Sequence, residues 1–412
     1  MIQIINKVWG EEHWIVNREY AGKKMVLYKG KQCSLHFHKI KDETFYVIKG
    51  KVLLEKNGER KVLLPGDAEL ILPGEAHRFT GLGNSNSEII EFSTHHYDED
   101  DSDNFRIRPS KILERDKVLN PDVYITGNRG YLGRALDKRF RELGKKVYGS
   151  DIEFLDLLDK KKVFDELNEI QPKVIIHTAS LSNWLTCESN PKLAKKINID
   201  ATKTLVEYCK TNNIPLVYIS TDFIFNGKKG KYTENDILNS NNVYGKTKAK
   251  AEKIVETLKK YIIIRAGTFY GVSYYVDRPV FAHKLIRKIT SGEEYKVAND
   301  EYSNPTLIQD VADVINELIN KNQNGIWNAG GETVLSKYDF ALKIAEVFNL
   351  NKNLIKPTTI SELSYQANRP RDVSLNMNKL NSVGIYTKNI EEGLIQMKKD
   401  FDEINKILLP LK

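Results

Sequence analysis

The chain has 412 residues, 41% hydrophobic and 29% charged, a globular composition with room for two or three cores. Its formal net charge of +8 comes from lysines spread along the whole length, with no basic stripe interleaved with aromatics. That excludes nucleic acid as the expected partner and reads as a Lys-rich surface, the alternative being a modest attraction for an anionic substrate such as a sugar diphosphate. No run of about 18 apolar residues is available to cross a membrane. The opening MIQIINKVWGEEHW lacks the basic-then-apolar pattern of a secretory leader, and Cys33, Cys187 and Cys209 are far apart and odd in number. The expectation is a cytoplasmic protein with no disulfide framework.

Residues 1–96 alternate short β-rich runs with turns: KKMVLYKG, ETFYVIKGKVLLEKNGE, RKVLLPGDAELILPGE, SEIIEF. Period-two patterning with closely spaced turn signals predicts an antiparallel sandwich or barrel. Residues two apart on a strand share a face, so His36 and His38 can point together. Glu43 opens the next strand and His77 arrives from a later one. Three imidazoles and a carboxylate suit one divalent ion, Zn, Fe, Mn, Ni or Co, with positions left for water or substrate. Lys39 and Arg78 flank the set and could hold phosphate. Glu43, His95 and His96 are candidate bases.

Gly30, His36, His38, Glu43 and Gly50, followed by Gly66, Pro73-Gly74 and His77, resemble the two motifs of the cupins. Leu72 stands where the second motif carries proline, which touches a turn and no ligand. The stretches KVWGEEHWIVN, SLHFHKIKDETFYVIKGKVLLE and HRFTGL look like the sugar-isomerase branch, similar to type II mannose-6-phosphate isomerase. That resemblance implies a metal acting as a Lewis acid while a proton leaves the carbon beside a carbonyl, the step common to isomerisation and epimerisation.

Residues 97–120 open on a cluster of acids and have no apolar period, so they are expected to be a linker. From 121 to 412 the texture changes. VYITG, KKVYGSD, KVIIHTAS and PLVYIST read as strands. YLGRALDKRFRELG, KKVFDELNEI and PKLAKKINIDATKTLVEYCKTN read as helices. The alternation predicts a doubly wound parallel sheet of the Rossmann type. Between the first strand and helix, Gly127-Asn128-Arg129-Gly130-Tyr131-Leu132-Gly133 has the spacing of a turn that brings backbone close to a pyrophosphate at a helix N-terminus. Ala179, ending a later strand, joins this cofactor set. Asp151, ending the second strand, would bond a ribose 2′-hydroxyl and favour NADH, whereas Arg129 could meet a 2′-phosphate and favour NADPH. The cofactor stays open between the two.

Thr221 and Asp222 close a strand, and Tyr244 and Lys248 lie four apart at the start of a helix, on one face. The lysine is expected to lower the phenol pKa, Tyr244 to give a proton to a carbonyl as hydride arrives, and Thr221 to hold the substrate oxygen. The stretches CESNP, Asn198 in KKINIDAT, ISTDFIFNG, NVYGKTKAKAE, Arg265 in IIIRAGTFYG, Asn304-Pro305-Thr306 and Ala367-Asn368-Arg369-Pro370 resemble the dTDP-4-dehydrorhamnose reductase family of extended short-chain dehydrogenases. The resemblance implies a smaller substrate-binding part after residue 268, with Asp222 and Arg369 near a nucleotide-diphosphate sugar. His177 and Ser240 depart from the family pattern, and Trp184 and Leu185 fall where its substrate loops vary.

The expected protein is bifunctional, a cupin that epimerises or isomerises a keto sugar joined to a reductase of the 4-keto group, assembled as a homodimer. The alternatives are a dinucleotide-binding regulatory protein without turnover, like the regulatory subunit of methionine adenosyltransferase, or a reductase whose cupin serves only dimerisation or sensing.

Overall fold

The computed structural model describes the chain except residues 1–2, 8, 18–19, 39–40, 58, 83–84, 95–103, 109–110, 113–117, 153, 273–279, 364–368 and 409–412. It divides into two compact units, Met1–Asp116 and a second made of Lys117–Ser273 with Pro279–Lys412.

The first unit is all β among its described residues, with two antiparallel sheets. One runs in the order Gln3–Lys7, Gly10–Asn17, Tyr20–Leu27, Ser87–Thr94, Glu43–Lys49, Ala68–Ile71. In the other, His77–Leu82 pairs with Leu35–His38, Lys31–Gln32 and Lys51–Lys56. Alternate residues turn inward, and Met25, Leu27, Phe45, Val47, Ile89, Val52, Leu54 and Phe79 form one buried core. The linker expected over 97–120 is not irregular throughout. Asn104–Arg108 pairs with Leu35–His38, and Lys111–Ile112 with Lys31–Gln32, so both extend the second sheet.

The second unit holds a six-stranded parallel sheet in the order Val147–Ser150, Val123–Thr126, Ile175–His177, Leu216–Ile219, Tyr261–Arg265, Gly325–Asn328. Its strands are apolar on both faces because helices cover both. Val123, Ile125, Ile176, Val217 and Ile264 enter one core, and Tyr124, Ile175, Leu216, Tyr218 and Ile263 the other. Strand order reverses between Val123–Thr126 and Ile175–His177, which places a crevice at their carboxyl ends. A third core gathers Phe281–Thr290, Lys337–Val347 and Ile390–Leu408 around Leu285, Phe340, Ile344 and Leu394. The long helix expected over 191–212 is interrupted by a π-helical turn at Lys196–Asp200. Among the described residues no helix is long and apolar enough to cross a membrane, and all three cysteines are free and buried.

Candidate active site and metal centre

The glycine turn sits at the reversal of strand order. Gly127 has φ +66°, and a Cβ there would lie 2.8 Å from the Ala179 backbone. A Cβ on Gly133 would lie 2.2 Å from the Gly127 carbonyl oxygen, so only glycine lets helix Tyr131–Glu142 start this close to the strand. Gly130 caps that helix without a side-chain hydrogen bond, leaving its first amides open to an anion. These features fit a dinucleotide pyrophosphate. The side chain of Asn128 lies over Gly149. Asp151 accepts from the Arg129 N–H at 3.1 Å and the Ile152 N–H at 2.7 Å, so its carboxylate pins the turn. The Arg129 guanidinium lies 4.8 Å over the Phe154 ring. Tyr131 donates to the Gly271 carbonyl at 3.0 Å and Leu132 packs on the core, so these two offer a cofactor only their backbone.

Helix Val243–Val255 begins where Asn242 accepts from the Gly245 N–H at 2.8 Å. Tyr244 and Lys248 are successive on one face, beside Thr221 at the end of Leu216–Ile219. The expected lowering of the phenol pKa by the lysine is not found. Burial raises Tyr244, against a hydrogen bond with Thr221 that acts the other way. Burial also brings Lys248 down to about 7, opposed by Glu252. Its ammonium lies 4.1 Å over the Tyr218 ring. One turn further along, Glu252 is enclosed and receives the Arg265 guanidinium at 2.7 Å. Neither residue stood out as part of the site in the sequence, although Arg265 was visible as a family match. His177, buried between Thr126 at 2.8 Å and Thr202 at 3.1 Å, falls to about 3, first through burial and then through Lys248. It ties together the two strands that flank the crevice.

Asp222 is buried and pushed up to about 6 by desolvation, with Thr221 donating to it at 3.0 Å. Arg369 meets Glu301 at 2.6 Å and lies between the rings of Trp184 and Phe223, at 5.5 and 5.7 Å. Lys337 shares Glu301 at 3.3 Å, and burial lowers it to about 8. Glu301 and Lys337 are additions that sequence reasoning missed, being 68 and 32 residues from Arg369 and carrying no motif. Ala367 and Asn368 lie outside the described residues.

In the first unit, His36, His38, Glu43 and His77 each offer one ligand atom within 4.8 Å of all the others. His36 Nδ1 faces the Ser34 carbonyl at 2.9 Å and His77 Nδ1 faces the Glu75 carbonyl at 3.1 Å. Those contacts put a proton on each Nδ1 and turn each Nε2 toward the group. Burial, then His77, holds His36 well below its ordinary pKa, so it is neutral. His77 Nε2 stands 2.9 Å from Glu43 Oε2, yet both atoms are enclosed and make no hydrogen bond. An imidazole nitrogen facing a carboxylate at that distance can share a proton or a cation with it, and three imidazoles with a carboxylate are a donor set that suits a divalent ion. Metal bonds of about 2.0–2.1 Å put neighbouring octahedral ligands about 2.9 Å apart, so the group fits a divalent ion. Arg78, read as a residue that could hold phosphate or simply be solvated, is instead buried against Glu55, with Nε at 3.0 Å from Oε2. His77 and Arg78 point to opposite faces of one strand, which is why only one of them reaches the ligand group. Lys39, His95 and His96 lie outside the described residues.

Fold and residue pattern together define the extended short-chain dehydrogenase class, here carrying an N-terminal cupin. The chain belongs to the family described as the RmlD substrate binding domain, whose model matches residues 121–403, and a cupin domain model matches residues 23–93. It is 31% identical over 287 residues to a dTDP-4-dehydrorhamnose reductase of Aggregatibacter actinomycetemcomitans, covering 66% of this chain and 96% of that protein. It is 30% identical over 287 residues to methionine adenosyltransferase 2 subunit beta of Bos taurus, covering 66% and 86%. A dTDP-4-dehydrorhamnose reductase of Bacillus anthracis, solved in complex with NADP, is 29% identical with a TM-score of 0.65 and covers 68% of this chain and 100% of that one.

Proposed function

We propose that the second unit reduces the 4-keto group of a 4-keto-6-deoxy nucleotide sugar with NADPH or NADH, and that the cupin holds a divalent metal and epimerises or isomerises the keto sugar beforehand. The observation that carries the reductase is Tyr244 and Lys248 on one helix face beside Thr221, at the carboxyl edge of a sheet whose glycine turn fits a dinucleotide. Similarity to a dTDP-4-dehydrorhamnose reductase and to an NADP complex supports it.

A bound reduced nicotinamide supplies hydride to the carbonyl carbon. Tyr244 gives its phenolic proton to the carbonyl oxygen, and its raised pKa keeps that proton in place at neutral pH until then. Thr221 orients the same oxygen. Lys248, near neutrality, holds the nicotinamide ribose and passes a proton back to the phenol side. Arg369 and Lys337, two cations sharing the carboxylate of Glu301, leave net positive charge for the sugar diphosphate. In the cupin, His36, His38, Glu43 and His77 would hold the metal. A divalent ion there supplies a Lewis acid for a carbonyl oxygen. The working assembly is a homodimer in the cytoplasm.

The 30% identity to methionine adenosyltransferase 2 subunit beta favours a second reading, a dinucleotide-binding module without turnover. Incubation in heavy water with a panel of 4-keto-6-deoxy nucleotide sugars, with and without NAD(P)H, separates the two. Deuterium uptake without cofactor is expected from the cupin, and cofactor oxidation from the reductase. Tyr244→Phe should cut cofactor oxidation by about 10²–10⁴-fold while deuterium uptake persists. Binding of NAD(P)H with no oxidation across the panel favours the regulatory reading, and full activity in Tyr244→Phe removes Tyr244 from the chemistry.

A further inference from the structure

We propose that Lys41, braced by Glu91, confines Glu43 to one metal-binding oxygen and thereby keeps two adjacent coordination positions open for an α-hydroxy ketone. The proposal rests on the metal reading above.

The inner face of the first sheet changes character along its length. Strand pairing sets Ser93 opposite Glu43 and Glu91 opposite Lys23. These residues share their face with Met25, Leu27, Phe45, Val47 and Ile89, so the apolar core gives way to charge beside the histidines. Lys41 and Glu91 are 3% and 2% exposed. Lys41 Nζ donates at 2.7 Å to Glu43 Oε1 and at 2.7 Å to Glu91 Oε1. Glu91 Oε2 meets Lys23 Nζ at 2.9 Å, and Ser93 donates to Glu91 Oε1 at 3.2 Å.

Burying this many charges gains a fold little, since an apolar cluster of like volume does as well or better. What the arrangement does is local. The ammonium occupies Glu43 Oε1 at 2.7 Å, an oxygen that His38 Nε2 approaches only to 3.5 Å, whereas Oε2 faces His77 Nε2 at 2.9 Å. A chelating carboxylate with three imidazoles gives five donors and leaves one position on an octahedral ion. A one-oxygen carboxylate leaves two. Two neighbouring positions match the carbonyl and adjacent hydroxyl oxygens of a ketose, the pair that must be polarised when the proton between them moves. An ammonium this close to a divalent ion repels it, and Glu91 offsets that charge. Lys41 is a positioning residue that acts through Glu43.

Loss of an outer partner ordinarily weakens a metal site about 10–100-fold, so tighter binding in the charge-balanced Lys41→Met/Glu91→Gln, where the repulsion and its offset leave together, is diagnostic. Co(II) affinity would be measured on the full-length chain by competition with a chelating dye, together with the visible ligand-field spectrum. Lys41→Met and Lys41→Met/Glu91→Gln should bind Co(II) more tightly than wild type with an altered spectrum, against the loss that removing an outer partner ordinarily brings, and Lys41→Arg should resemble wild type. X-ray absorption on wild-type Co(II) protein should lack the short metal–carbon distance of a chelating carboxylate. Its presence there overturns the proposal without any variant. Unchanged or weaker affinity in both Met variants also overturns it, whereas a wild-type chain that takes up no Co(II) overturns the metal reading itself.

Discussion

Replacing Lys248 by methionine should make the protein more stable while abolishing reduction, and the gain should fade as pH rises. The ammonium is 3% exposed and its pKa falls from 10.5 to about 7, burial being the main cause. For a lysine with a depressed folded pKa, the unfolded chain binds the extra proton between those two values. Wild-type stability therefore rises with pH across that window. At about 1.4 kcal/mol per unit, Lys248 costs the fold about 4 kcal/mol at pH 7, about 2 kcal/mol at pH 9 and almost nothing above about pH 10.5. Methionine has similar length, and its thioether can lie over the Tyr218 ring where the ammonium now sits at 4.1 Å. Glu252 is not orphaned by the change, because Arg265 already holds it at 2.7 Å. The assay is urea unfolding at several pH values, followed by helical circular dichroism, to which only the second unit contributes among the described residues. A Lys248→Met protein no more stable than wild type at pH 7, or more stable by the same margin at pH 7 and pH 10, would refute the reasoning.

Gly133→Ala places a Cβ 2.2 Å from the Gly127 oxygen and 2.7 Å from the Asn128 Cα, both backbone atoms that cannot swing away. It should cost about 1–3 kcal/mol and remove NAD(P)H binding in a fluorescence titration, and near-wild-type affinity would count against the turn as cofactor cradle. Arg265→Met leaves the Glu252 carboxylate buried without its partner and should destabilise by about 3–5 kcal/mol. Arg265→Met/Glu252→Leu should recover most of that, and a double variant no better than the single would show that the pairing is not what the arginine supplies.

Much of the architecture could be seen in the sequence because it is written in local periods. The period-two runs of the first unit, the strand–helix alternation of the second, and the glycine turn between Val123–Thr126 and Tyr131–Glu142 are all short-range patterns. Asn104–Arg108 does alternate Phe105 and Ile107 with polar residues, but the run is short and follows an acidic stretch, and Lys111–Ile112 is only two residues, so their pairing with strands about 70 residues upstream was not legible. The sequestration of Arg78 needed the register that sets it opposite Glu55. The π-helical turn at Lys196–Asp200 leaves the flanking apolar pattern intact, so only coordinates reveal it. Tyr244 shows the limit in chemistry: its spacing to Lys248 was legible, but the pKa followed burial, which depends on everything packed around the helix.

The phase of the strand SEIIEFST is informative. Period-two logic applied to Glu91-Phe92 would bury the phenylalanine and expose the glutamate. The chain does the reverse, with Phe92 55% exposed and Glu91 2%. Ile89 fixes the phase of the strand by entering the core, and Glu91 and Ser93 must then follow it inward. A single residue of slip would bury Phe92 at the expense of Ile89, yet eight register pairs with Tyr20–Leu27 hold the phase. Such a conflict between local preference and fold survives where the buried charge has work to do beyond stability. Here it survives where Lys41 and Lys23 converge on the Glu91 carboxylate beside the His36, His38, Glu43 and His77 group.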